Sequence, residues 1–248
     1  SGKYWITSTY NTPLIKGTGV AAYPLNDESS TTCSDRSGNG RDLTEVGSVT
    51  YTSGPFGNTA TFNGTDQELK RESDTGFALA ETDNFFMSLY VKSASATNNS
   101  AHSESLLYFR SSGGTSFGQL GFNTDGTMKC HLRSDNGASG ETVFSATSND
   151  YYDNKWHHVF VQWVYGDGIY FYVDGAQDGY QSGTGFGTEA KSWNQLWIGG
   201  LGSFSDQHFA GQIAQVFIGK MAPNLNSDID VWSKDEINLE YQRMMRGL

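Results

Sequence analysis

The 248 residues suffice for one large domain that buries roughly three quarters of its unfolded surface. Hydrophobic residues make up 36%, aromatic residues 14% and charged residues 17%, and 30 glycines stand against 4 prolines, the composition of short strands joined by many turns. With 16 Lys+Arg against 27 Asp+Glu the net charge is −11, which disfavours nucleic acid and anionic membrane surfaces, and no apolar run nears the ~20 residues that span a bilayer.

Residues 1–19 mix Tyr, Trp, Pro and Gly without a period and read as a lead-in; the Ser1-Gly2 opening reads as a processed or engineered start. A single domain is expected over residues 20–248. From Val20 to about Ile218, runs of four to ten residues rich in Val, Ile, Phe, Tyr and Thr alternate with Gly, Asn, Asp and Ser clusters, the signature of strands and turns. Gly118 to Asn123 and Thr127 to Arg133 form one hairpin through Asp125-Gly126. The clearest hairpin runs from Trp156 to Asp174, with Gly166-Asp167-Gly168 at its turn, and places Val159, Val161, Trp163, Ile169 and Phe171 on one face. At the C-terminus Ser233-Lys234-Asp235-Glu236 spells a capping box, and Ile237, Tyr241 and Met244 follow at helical spacing. Helices alternating with single strands are absent, which excludes parallel α/β folds.

Cys33 and Cys130 fit no zinc spacing, and they either pair once or stay free. Gly114-Thr115-Ser116-Phe117-Gly118 has the spelling of a serine nucleophile elbow, but a loop precedes it and a strand follows, so it reads as a hairpin turn. His157 and His158 are neighbours on a strand and project to opposite faces, so they cannot share one ligand. His102, His131 and His208 show no pairing pattern.

Taken in order, Ala22-Tyr23-Pro24-Leu25-Asn26-Asp27, Asp35-Arg36-Ser37-Gly38-Asn39-Gly40, Ala60-Thr61-Phe62-Asn63-Gly64, Asn154-Lys155-Trp156-His157-His158-Val159, Tyr172-Val173-Asp174-Gly175, Leu196-Trp197-Ile198-Gly199, Gly211-Gln212-Ile213-Ala214-Gln215-Val216 and Trp232-Ser233-Lys234-Asp235-Glu236-Ile237 resemble the laminin-G-like, concanavalin A-like lectin/glucanase family. The resemblance implies an all-β jelly-roll sandwich of two antiparallel sheets, one of them concave, here with a short C-terminal helix. It implies sugar binding, protein adhesion or, in some relatives, glycan cleavage.

Retaining glucanases of the family carry Glu-x-Asp-x-Glu on one strand, because alternate side chains share a cleft about 5 Å apart. The nearest match, Glu68-Leu69-Lys70-Arg71-Glu72, has Lys70 at its centre and reads as a solvated polar strand. The histidine that a related lyase would show after Gly211-Gln212-Ile213 is Ala214. The same alanine stands where the family's structural calcium has a carboxylate, so no cofactor is required and calcium is doubtful. Were calcium held, Asp27, Asp35 and the loop from Asn224 through Asn226 and Asp228 to Asp230 would be its first candidate ligands.

Binding is therefore preferred over hydrolysis. Tyr108 and Arg110 share one strand parity, and Lys129, His131 and Arg133 share another. Arg110 and Arg133 offer rigid forks for sugar hydroxyls and carboxylates. We expect Tyr108, Arg110, His131 and Arg133 to line the concave patch, with Trp193 as a platform at its rim; Tyr151, Tyr152, Tyr180, Phe186 and Phe204 are further loop aromatics. The expected protein is a noncatalytic recognition module for a glycan or polysaccharide, with a bias toward acidic ones. It would be displayed extracellularly or on a virion surface, and a homo-oligomer is compatible with that reading. A glycan-active enzyme and a structural or adhesive protein-binding module are the alternatives.

Overall fold

Among the described residues the period-2 alternation of apolar side chains resolves into sixteen strands. In the computed structural model they are β1 (Thr18–Tyr23), β2 (Thr32–Cys33), β3 (Leu43–Val46), β4 (Thr50–Gly54), β5 (Gly57–Asn63), β6 (Glu68–Arg71), β7 (Asn84–Lys92), β8 (Glu104–Arg110), β9 (Phe117–Phe122), β10 (Met128–Arg133), β11 (Glu141–Phe144), β12 (Trp156–Val164), β13 (Gly168–Val173), β14 (Ala176–Ser182), β15 (Gln195–Ile198) and β16 (Ala210–Met221). The structure describes residues 18–26, 31–93, 104–114, 116–123, 125–134, 141–144, 151–182, 190–201 and 207–221, with positions 235, 237, 238 and 242 near the C-terminus. The lead-in before Thr18 lies outside them.

Two antiparallel eight-stranded sheets form a jelly-roll-like sandwich. The first runs β14-β13-β12-β7-β16-β5-β4, with β1 pairing to β16 beside β5; the second runs β11-β10-β9-β8-β15-β6-β3-β2. The core between them is set by parity. Phe85, Met87, Leu89 and Val91 of β7, with Val159, Val161 and Trp163 of β12, meet Leu107 and Phe109 of β8, Leu120 and Phe122 of β9, and Cys130 and Leu132 of β10 in one cluster. The hairpin register pairs Val161 with Phe171 and Trp163 with Ile169, as the alternation predicts, although the turn itself is Tyr165-Gly166-Asp167 and Gly168 already pairs with Val164. Gly114 and Ser116 lie in the turn between β8 and β9, so no strand-to-helix elbow exists there.

Residues 235, 237, 238 and 242 are helical, and Ile237 is fully buried against Phe86, Phe160 and Tyr172 on the outer face of the first sheet. The hydroxyl and glutamate of the capping box, Ser233 and Glu236, fall outside the described residues. A short 3-10 turn at Thr75–Phe77 is a helical element that the sequence pattern does not announce; Asp74 caps it by accepting from the Gly76 amide at 2.8 Å.

Cys33 and Cys130 are both buried and do not form a disulfide with each other. They sit in β2 and β10, six strand-steps apart in the second sheet, and at ~4.8 Å per step the two backbones are separated by about 25–30 Å, far beyond disulfide reach.

Candidate functional site

The second sheet turns Leu107, Phe109, Leu120, Cys130 and Leu132 inward, so the residues between them face out. Register fixes two cross-strand rows on that outer face. In one, His131 lies opposite Gln119, Gln119 opposite Tyr108, Tyr108 opposite Trp197, and Trp197 opposite Lys70. In the adjacent row Arg133 lies opposite Phe117, Phe117 opposite Arg110, and Arg110 opposite Gln195. Four of the five candidate residues, Tyr108, Arg110, His131 and Arg133, thus converge on one patch spanning three adjacent strands.

The rings in it are packed face and edge. Phe117 stacks on Tyr108 at 5.8 Å with an interplanar angle of 9° and meets His131 edge-on at 4.9 Å; Tyr108 also meets Trp197 edge-on at 6.0 Å. Leu201 comes down on Tyr108 and Trp197, and Gln207 reaches Gln119, whose Nε2 donates to Ser105 Oγ at 2.6 Å and to Gln207 Oε1 at 3.3 Å. Leu201 and Gln207 therefore cover one side of the face, and Arg110, Phe117, Lys129, His131 and Arg133 are half-buried at the other.

Among the described residues, the charged side chains on the open side, Arg110, Lys129 and Arg133, are all basic. Burial first, then the Lys129 and Arg133 charges, hold the His131 pKa below its ordinary value, and burial does the same to Lys129. Burial raises the Tyr108 pKa against the opposing effect of Arg110. Arg110 lies across the turn at Gly114, where a Cβ would come within 2.6 Å of Nη2, so glycine at this left-handed position makes room for the guanidinium.

Trp193 is not a platform at the rim. It is 2% exposed, stacks on Phe109 at 5.2 Å and packs edge-on to Phe85 at 5.7 Å inside the core. Gly118 makes the space, since a Cβ there would lie 2.8 Å from Trp193 Cη2, and the bridge between Leu79 and Lys191 pins the segment. Among the other aromatics, Tyr151 is buried with its hydroxyl donating to Asp178 Oδ2 at 2.7 Å, Tyr152 packs on Phe122 at 4.8 Å, and Phe186 and Phe204 lie outside the described residues.

The acidic strand departs from its expected solvation at one end. Glu72 is exposed, but Glu68 is 3% exposed, with its Oε2 3.7 Å from Nε2 of the likewise buried His208. The signal was missed because His208 is 140 residues downstream and Gly200 lets its ring in: a Cβ on Gly200 would lie 2.5 Å from His208 Cδ2. Of the histidine pair, His158 is buried with Nε2 2.9 Å from Ser88 Oγ, whereas His157 sits between Asp174 Oδ2 at 2.8 Å and Asp153 Oδ1 at 3.1 Å. His102 lies outside the described residues.

The residues at the family's calcium position suit other tasks. Ala214 packs in an apolar cluster with Tyr90, Phe56 and Trp156. Gln215 beside it is a neutral, buried carboxamide at φ 51° with no hydrogen-bond partner. Asp35 spends both oxygens on protein donors, accepting from the amides of Ala22 at 3.0 Å, Ser37 at 2.9 Å and Arg41 at 3.0 Å and from Ser37 Oγ at 2.8 Å. That donor set fits a hard dication poorly. Asp27 and the Asn224 to Asp230 loop lie outside the described residues, and among those described no group of three or more His, Cys, Asp or Glu side chains could hold a metal.

The sequence profile described as "Concanavalin A-like lectin/glucanases superfamily" matches residues 63–224. No curated protein matches the chain. Solved structures share its fold at low identity. The binding domain of Paraclostridial Mosquitocidal Protein 1 superposes with a TM-score of 0.68 at 14% identity over 90% of this chain and 52% of that one. The botulinum neurotoxin serotype G binding domain gives 0.68 at 12% identity, over 90% of this chain and 50% of the other. The serotype D ligand binding domain, in complex with N-acetylneuraminic acid, gives 0.66 at 15% identity over 91% and 50%. The chain spans about half the length of each.

Proposed function

The chain belongs to the concanavalin A-like lectin/glucanase superfamily, and from that premise we propose that it is a noncatalytic glycan-recognition module whose ligand lies on the outer face of its second sheet. The observation that carries the reading is the half-buried patch of Arg110, Phe117, Lys129, His131 and Arg133, cationic within a chain of net charge −11. Sugars are held by apolar faces against aromatic rings and by forked, charge-assisted hydrogen bonds, and the patch offers both. Same-sign cations side by side depress one another's protonation, and an anionic ligand relieves that repulsion, so carboxylated or sulfated glycans are favoured. The solved structures of similar fold are toxin binding domains, one of them with N-acetylneuraminic acid, which supports a recognition role; display outside a cell or on a virion surface is part of the same proposal.

Hydrolysis is the weaker reading because β6 carries a single carboxylate, Glu68, which is buried against His208, while Glu72 lies just past the strand and Lys70 stands between the two. A glycan array spanning neutral, sialylated and sulfated sugars, with product analysis on each hit, tests the proposal. The expected result is binding without cleavage, weakened at least about tenfold in an Arg110→Ala/Arg133→Ala double variant whose melting temperature stays within a few degrees. Cleavage products would support an enzyme. Silence on the array with self-association in light scattering would support an adhesive module.

A further inference from the structure

Two large apolar side chains among the described residues stand out from the protein surface: Tyr165 is 41% exposed and Tyr180 45%. Tyr180 lies on β14, the edge strand of the first sheet, directly opposite Tyr170 on β13. Tyr165 opens the turn between β12 and β13, where its amide donates to Asn84 Oδ1 at 2.6 Å. Ile169 and Phe171 point into the core, so Tyr170 and its partner Tyr180 face away from it, on the side of the sandwich opposite the arginine patch.

One carboxylate orders both rings. Tyr170 Oη donates to Asp167 Oδ2 at 2.6 Å and Tyr180 Oη donates to Asp167 Oδ1 at 2.8 Å, while the two rings lie 4.8 Å apart at 46°. The hydrogen bond to Asp167 is the leading cause of the raised Tyr180 pKa; at Tyr170 burial leads and the Asp167 bond follows. A phenol held on a carboxylate keeps a fixed rotamer and gains electron density in its ring. Leaving such a ring nearly half in water forgoes burial, while its rigidity removes an entropic cost from any later association. The arrangement serves a ligand better than it serves the fold.

We propose that Tyr180 and Tyr170, locked by Asp167 and flanked in sequence by Tyr165, form a stacking platform for a neutral pyranose, a second glycan site independent of the arginine patch. The ligand class follows from what the platform lacks. Rings 4.8 Å apart leave no gap for a cation between them, so this is not an aromatic cage. Asp167 supplies the local charge and has no basic partner among the described residues, so a carboxylated or sulfated sugar would be repelled. A neutral sugar presents a C–H face to the electron-rich ring and hydroxyls to the remaining lone pairs of Asp167.

The test is calorimetric titration of the full chain with maltohexaose, cellohexaose and mannohexaose, alongside trimethyllysine as a cationic probe. Binding of at least one hexasaccharide in the millimolar range or tighter is expected, weakened at least about fivefold by Tyr180→Ala and less by Tyr180→Phe, which keeps the ring but loses the bond to Asp167. The Arg110→Ala/Arg133→Ala variant should retain this binding in full, so the two sites fail separately. If none of the three sugars binds at about 10 mM, if the affinity is the same in Tyr180→Ala, or if only trimethyllysine responds, the proposal is wrong. Should Tyr180→Ala fail to fold, Asp167→Asn is the second variant: it keeps both rings but removes the carboxylate that holds them, so it must also weaken hexasaccharide binding, and unchanged affinity in it would overturn the proposal.

Discussion

Phe171 and Trp193 are buried to the same depth, yet only the first was legible as core. Truncating fully buried Phe171 to Ala is expected to cost about 3–5 kcal/mol in denaturant unfolding, because the inner faces of β12 and β13 cannot collapse into the space left. Trp193→Ala should cost a similar amount, about 3–5 kcal/mol. A platform residue at a rim would instead change stability by less than about 1 kcal/mol, so equilibrium unfolding of this variant tests its placement directly. The alternation of β13 announces Phe171. No periodic pattern announces Trp193, whose depth depends on the missing Cβ of Gly118, 75 residues earlier in the chain.

At the scale of elements, the start of β12 is tied to its neighbours through two adjacent histidines that respond to pH in opposite ways. Burial disfavours charge on His157, but the Asp174 and then the Asp153 interactions outweigh it and raise its pKa. Its contribution to stability is therefore complete below the unfolded value near 6.5 and is lost as the pH rises through the higher folded value. His158 is fully buried, which pulls its pKa down to about 4. Its neutral form is favoured by the fold, so stability is present above pH ~6.5 and falls away as the pH drops through 4, by on the order of 3 kcal/mol. Between pH 7 and 4, chemical denaturation should show His158→Gln losing less stability than the parent, and Asp174→Asn losing more than the parent because the His157 compensation is gone. Parallel profiles in all three would refute the assignment. Below pH 4 Asp153, held to about 2 by Lys155 and His157 against its own burial, adds a further acid-sensitive loss.

The face of the candidate site was legible for the same reason as the hairpins. Parity placed Tyr108 and Arg110 together, and His131 and Arg133 together, and the same rule applied to Phe117-Gly118-Gln119 and Leu196-Trp197-Ile198 would have added Phe117, Gln119 and Trp197. The covering was not legible. Leu201 meets Tyr108 from 93 residues away, and His208 buries Glu68 from 140 away, contacts that arise only once β15 and β16 are assigned to different sheets.

Across the whole molecule, the donor set around Ala214 leads to the expectation that a chelator leaves the melting temperature unchanged within about 1–2 °C. A saturable ligand of the folded state must stabilise it by mass action, so a clear rise on adding calcium would overturn this. The two thiols offer a different use of the architecture. Cys33 and Cys130 lie near opposite flanks of the second sheet, both sealed in the core, and burial raises the Cys130 pKa so that its reactive thiolate is suppressed. Native folding then asks nothing of the redox environment, and alkylation of each cysteine becomes a clock for the opening of its own end of the sheet. Equal alkylation rates would mean that the sheet opens as one cooperative unit. Faster loss at Cys33, whose two-residue strand closes the edge, would mean that the sandwich frays from that flank inward.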